Sequence, residues 1–180
     1  MNIVESAFGL YMPAGNPMEA DCIIGHSFGT VTEDGSVNAA LAEQMLGWEQ
    51  KIAGDVPLIA DQMLVDAFPE DERSHIALSV GGEISDTLGT RGGTWGVLLE
   101  ARDYMLQHNL RRPMMLGHAG HIGRVARQAK KVESMPETII PSGLPKHFDR
   151  NSDQPWTRSR ALWVPREVIG SLVLRAKGQL

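Results

Sequence analysis

The sequence predicts an α/β fold, a mostly parallel sheet of about five strands with helices on both faces. Three observations carry that reading. Short apolar runs that read as buried strands alternate with segments of helical periodicity. Most of the runs stop at a glycine or a polar turn that leads into the next helix. The composition, 42% apolar and 22% charged over 180 residues, suits one ordinary domain with a real core.

Residues 1–20 lack clear periodicity and are expected to form an irregular lead-in. Asp21-Cys22-Ile23-Ile24-Gly25 then reads as a buried strand closed by its glycine. After a polar loop, Ala40, Leu41, Met45, Leu46 and Trp48 recur at helical spacing within Val37–Ala53, and Gly54 is placed to end that helix. Pro57–Ala60 is the second strand, followed by a short helix over Asp61–Phe68 that Pro69 stops. His75–Val80 is the third strand and ends at Gly81-Gly82. Thr94 can cap a helix to about Asn109, with Trp95, Leu98, Leu99, Met105 and Leu106 on one face. Pro113 opens the strand Met114-Met115-Leu116-Gly117, and a helix follows from about Ile122 to Val132. Thr138-Ile139-Ile140 is the expected last strand. A polar loop, 142–157, precedes a C-terminal helix over 165–177, with Pro165 expected in its first turn. No repeat, low-complexity tract or linker divides residues 1–180, so a single domain is expected.

Charge and cysteine content narrow the function. Seventeen Lys and Arg against 22 Asp and Glu give a net charge of −5, which argues against a nucleic-acid partner. A lone cysteine, Cys22, excludes an intrachain disulfide and favours a reducing, cytoplasmic setting. No apolar run approaches the ~20 residues that span a bilayer, and the N-terminus lacks a basic signal-peptide start, so no membrane partner is expected. The oligomeric state leaves no mark on the sequence.

Ligands of open α/β sheets bind beyond the carboxyl ends of the strands. The expected site therefore collects Gly25, His26, Ser27, Gly81, Gly82, His118, His121 and Arg124, all just past a strand. The N–H groups of a helix start beside His121 and Arg124 would suit phosphate or carboxylate. The expected partner is thus a small anionic molecule: a nucleotide, an adenosyl cofactor or a sugar phosphate. The bland alternative makes His121 and Arg124 mere caps and braces. No cofactor is identified, because Gly81-Gly82 and Gly92-Gly93 form neither G-x-G-x-x-G nor a P-loop.

Two sharper chemistries are weighed. Gly25-His26-Ser27-Phe28-Gly29 fits the G-x-S-x-G pattern of a serine hydrolase, with Ser27 as nucleophile. That turn needs a helix at once, whereas Thr30–Gly35 reads as loop, and only about twenty residues precede the strand. His26, His118 and His121 could ligate a metal, but no cysteine or nearby carboxylate completes a signature, and no metal is assigned. Trp48, Trp95 and Trp163 are expected in the core. Lys130-Lys131 reads as a solvated helix end. A third possibility is a scaffold whose polar loops are surface turns.

The segment Met114–Arg124, with His121 and Arg124 three apart after the helix starting at Thr94, resembles the YdcF/SanA/ElyC-type family. Asp21-Cys22-Ile23-Ile24-Gly25 is similar to that family's first strand, Pro57-Leu58-Ile59 to a second, and Arg166-Glu167-Val168-Ile169 to its closing helix. Gly117 and His118 stand where the family carries Thr-Ser, and His26 is atypical. The resemblance implies a Rossmann-like three-layer sandwich with a polar cleft for a nucleotide-like or phosphorylated ligand, in a form lacking the membrane anchor of some relatives. It names no reaction.

Overall fold

A computed structural model of the chain describes residues 11–52, 55–81 and 93–180. The sheet has four strands, β1 (Cys22–Gly25), β2 (Leu58–Asp61), β3 (Ile76–Val80) and β4 (Pro113–Leu116). All pairings are parallel, and the order is β3-β2-β1-β4. Ile23 lies between Leu58 and Met114, and Ile59 pairs with Leu78, so all four expected apolar segments share one sheet. The architecture is the expected α/β sandwich.

Five helices accompany the described strands: α1 (Val37–Lys51), α2 (Gln62–Asp66), α3 (Gly93–Gln107), α4 (Ala119–Ala129) and α5 (Arg160–Ala176). Right-handed crossovers from β1 through β2 to β3 put α1 and α2 on one face. The return from β3 to β4 reverses direction and puts α3 on the other, where it packs against α4. The central strand β1 is fully buried, as its apolar letters require, and so is β4, whose outer side meets Ile139, whereas the edge strand β3 alternates in exposure.

Three expectations are corrected. The fifth strand is reduced to isolated bridges, Ile139 to Met114 and Ile140 to Ala14. Pro136 and Pro141 bracket that run closely, and its backbone bonds divide between β4 and the lead-in. The C-terminal helix starts at Arg160 rather than at Pro165, because the Ser159 hydroxyl accepts from Leu162 N and caps it. Pro165 thus sits inside the helix, one turn in. Helix α4 starts at Ala119, three residues early, because the His118 ring itself accepts from Gly120 N at 3.1 Å.

The polar loop is part of the packing. Both Asp149 carboxylate oxygens accept from Val37 N at the start of α1, at 3.1 and 3.2 Å. Pro145 O accepts from Ala119 N at the start of α4. Ser152 and Thr157, both buried, bond to one another, and the Ser152 hydroxyl also bonds to Thr30. The loop is thereby drawn across the carboxyl edge of the sheet.

Candidate functional site

Where a sheet reverses its winding, the first strands on each side leave a crevice, and here it falls between β1 and β4. His26 N donates to Leu116 O at 2.9 Å, so the two strand exits are tied together. Gly25 is held there by space. A Cβ on it would overlap Leu64 Cδ2 and Met45 Sδ, both in the core. Ser27 N turns the other way and donates to Asp61 Oδ2 at 2.8 Å, at the end of β2. Asp61 also caps α2 through Leu64 N. Burial raises its carboxyl above the ordinary range although both bonds pull it down.

The crevice is filled. His26 and His118 are 1% and 2% exposed. Phe28 stacks on the His118 ring with centroids 3.8 Å apart, and Phe148 and Trp163 meet that pair edge-on. Trp163 Nε1 donates to Gly120 O at 3.2 Å, which fixes α5 over the start of α4. The sequence-level cleft at this edge is therefore an aromatic plug supplied by α5 and the 142–157 loop. Both ring nitrogens of His26 and Nε2 of His118 are buried without a hydrogen-bond partner. Burial lowers His26 to about 3 and His118 to about 4, so both rings are neutral at pH 7.

His121 and Arg124 lie on the same end of the sheet, on the side toward α3. Arg124 Nη2 donates to His121 Nδ1 at 2.9 Å, and Thr94 Oγ1 lies 3.2 Å from His121 Nε2. A guanidinium only donates, so Nδ1 accepts. Burial and the Arg124 charge hold the ring well below its ordinary pKa, and it is neutral. Nε2 then carries the proton and donates to Thr94, which leaves the Thr94 hydroxyl hydrogen free to point elsewhere.

Arg124 is held on three sides. Its Nε donates to both carboxylate oxygens of Glu167 at 2.9 and 3.0 Å, and Nη1 to Gln128 Oε1 at 3.2 Å. Glu167 is 2% exposed. The brace weighed against the ligand role is present in the structure.

Beside this chain lies a pocket of about 400 Å³ between α3, α4 and α5. Thr94, Arg124, Gln128, Arg166 and Lys177 supply polar groups, and Trp95, Ile169, Val173 and Leu174 the apolar wall. A Cβ on Gly170 would stand 2.8 Å from Arg166 Nη1, at the tip of an exposed side chain that can swing aside. The Arg166 guanidinium also lies over the Trp156 ring, 5.3 Å from its centroid. Another depression, at the amino ends of the strands, is lined by Asp21 and Arg112 among others, but both Asp21 oxygens already accept backbone bonds.

No family model, curated protein or solved structure matches the chain. The assignment of a site rests on geometry alone.

Of the expected residues, Gly25, His26, His118, His121 and Arg124 gather at the β1/β4 edge, and Ser27 one strand over. Gly81 is exposed beyond β3, two strands from β1, and does not join them. Gly82 lies outside the described residues. Among the described residues no three His, Cys, Asp or Glu side chains are placed to hold a metal ion. The G-x-S-x-G segment is not followed at once by a helix, since α1 begins at Val37. Glu167, Gln128, Arg166 and Lys177 are not among the expected site residues, yet they surround Arg124 or line this pocket. Glu167 had a signal: it is the lone acid in a basic helix.

Proposed function

We propose that the protein binds a small anionic ligand bearing phosphate or carboxylate in the pocket between α3, α4 and α5. A nucleotide, an adenosyl compound or a sugar phosphate all carry such a group. One observation supports this above the rest: Arg124, Arg166 and Lys177 line the pocket and no carboxylate among the described residues does. The Thr94 hydroxyl adds a donor whose direction follows from the His121 tautomer, and the Gln128 amide adds another, since its oxygen is engaged by Arg124. Donors without acceptors suit an oxyanion. The apolar wall with Trp95 suits an organic portion attached to it.

This reading keeps the anion and moves the cleft from the β1/β4 crevice to the adjoining helix layer. Kinship with the YdcF/SanA/ElyC-type family is part of the same proposal, since His121 and Arg124 are the residues that carry the resemblance. So is a cytoplasmic setting, favoured by the single cysteine. Cys22 is buried, and burial pushes its thiol far up, so it is inert.

The test is a thermal-shift titration with orthophosphate, AMP, ADP and glucose 6-phosphate. A ligand at 100 times its Kd should stabilise by about 2.7 kcal/mol. The double variant Arg166→Ala/Lys177→Ala, altered only at exposed positions, should keep the unliganded Tm and lose the shift. A flat response to the whole panel, or an undiminished shift in the variant, overturns the assignment and favours a scaffold.

A further inference from the structure

The outward surface of α5 has an unusual pattern of charge. Leu162, Ile169, Leu172 and Val173 are 51, 61, 54 and 49% exposed. At 100° per residue they fall in one arc opposite buried Trp163 and Glu167, with Pro165 between them. Cations border this arc on both sides. Arg166 and Lys177 stand on the flank toward the pocket and Arg175 on the other. The sole acid of the helix, Glu167, is buried against Arg124 and contributes nothing outward.

An apolar strip with Arg166 and Lys177 on one flank and Arg175 on the other suits the boundary of a bilayer. The apolar side chains enter the acyl edge while long cationic stems reach back to the headgroups. We propose that the outer face of α5 is a docking surface for an anionic lipid membrane. Charge decides for this occupant over a second copy of the chain. A two-fold pairing through α5 would set the same cationic flanks against each other without a carboxylate between them. No helix among the described residues is long and apolar enough to cross a membrane. That bears on spanning and leaves surface attachment open.

The experiment is flotation of the full chain with vesicles of phosphatidylcholine containing about a quarter phosphatidylglycerol, against pure phosphatidylcholine. The protein should float with the anionic vesicles and not with the neutral ones. Raising salt from about 0.1 M to about 0.5 M should release it. Leu172→Glu and, separately, Leu162→Glu should each weaken association about tenfold or more. Neither residue lines the pocket, so both variants should keep any phosphate-induced thermal shift, which separates this proposal from the ligand reading. Failure to float with anionic vesicles overturns it, as does equal flotation of both variants. A concentration-dependent dimer in sedimentation that Leu172→Glu disperses would instead assign the face to a second copy.

Discussion

The Arg124 guanidinium on α4 spans both carboxylate oxygens of Glu167 on α5, at 2.9 and 3.0 Å. One buried carboxylate also faces Arg127, whose three guanidinium nitrogens are buried without a hydrogen-bond partner. Burial raises the Glu167 carboxyl, Arg124 and Arg127 pull it down, and burial prevails.

Removing that carboxylate leaves two confined cations unbalanced. Glu167→Ala is expected to cost about 3–5 kcal/mol, read as a fall in the urea midpoint. Arg124→Lys keeps the charge but loses the fork that reaches Glu167, Gln128 and His121 together. Its expected loss is about 1–3 kcal/mol. An unchanged Tm for Arg124→Lys would show that the brace carries no stability.

Acid should unfold the protein early. His26, His118 and His121 all have folded pKa values depressed by burial, so they favour folding above the ordinary 6.5 and lose that contribution as pH falls. The window opens near pH 6.5 and runs to about 4 for His118 and about 3 for His26. Within it each ring forfeits about 1.4 kcal/mol per pH unit. Urea titrations at stepped pH should show the steep slope. His26→Leu should reduce it while costing little at neutral pH, because it removes two unpartnered buried nitrogens. A slope unaltered by His26→Leu would count against the arrangement.

Gly25 and Gly117 end neighbouring strands and should respond differently to alanine. A Cβ on Gly25 overlaps Leu64 and Met45, whereas one on Gly117 finds its nearest neighbour, Ile122 Cδ1, at 3.5 Å. Gly25→Ala is expected to lose about 1–3 kcal/mol through overpacking. Gly117→Ala should be close to neutral. Chemical denaturation of the two variants side by side measures the contrast.

Ser27 is expected to resist fluorophosphonate reagents. Both nitrogens of His26 lack partners, the peptide after it is tied to Asp61, and the nearest following helix starts at Val37. Mass spectrometry of the treated protein provides the reading. A stoichiometric adduct on Ser27 would revive the hydrolase alternative.

Much of the fold is legible locally. Ile23, Leu58, Leu78 and Met115 sit in short apolar runs, and the alternation with helical segments requires crossovers, which places every strand exit on one edge. That alone sets His26 and His121 at the same end of the sheet. The three-residue error at α4 arose because a histidine served as cap. The start of α5 is displaced because proline signals a first turn, whereas Ser159 caps the helix six residues before it.

What the sequence determined is the class of fold and the edge where the polar groups gather, because burial of apolar runs and glycine boundaries are local properties. Tertiary structure alone decided which of those groups are open. Phe28, Phe148 and Trp163 come from three separated segments to enclose His118. Arg124 is claimed by Glu167, 43 positions away. The pocket exists only because α5 lies against α3 and α4. No periodicity reports such pairings, since they depend on where distant surfaces meet when the core closes.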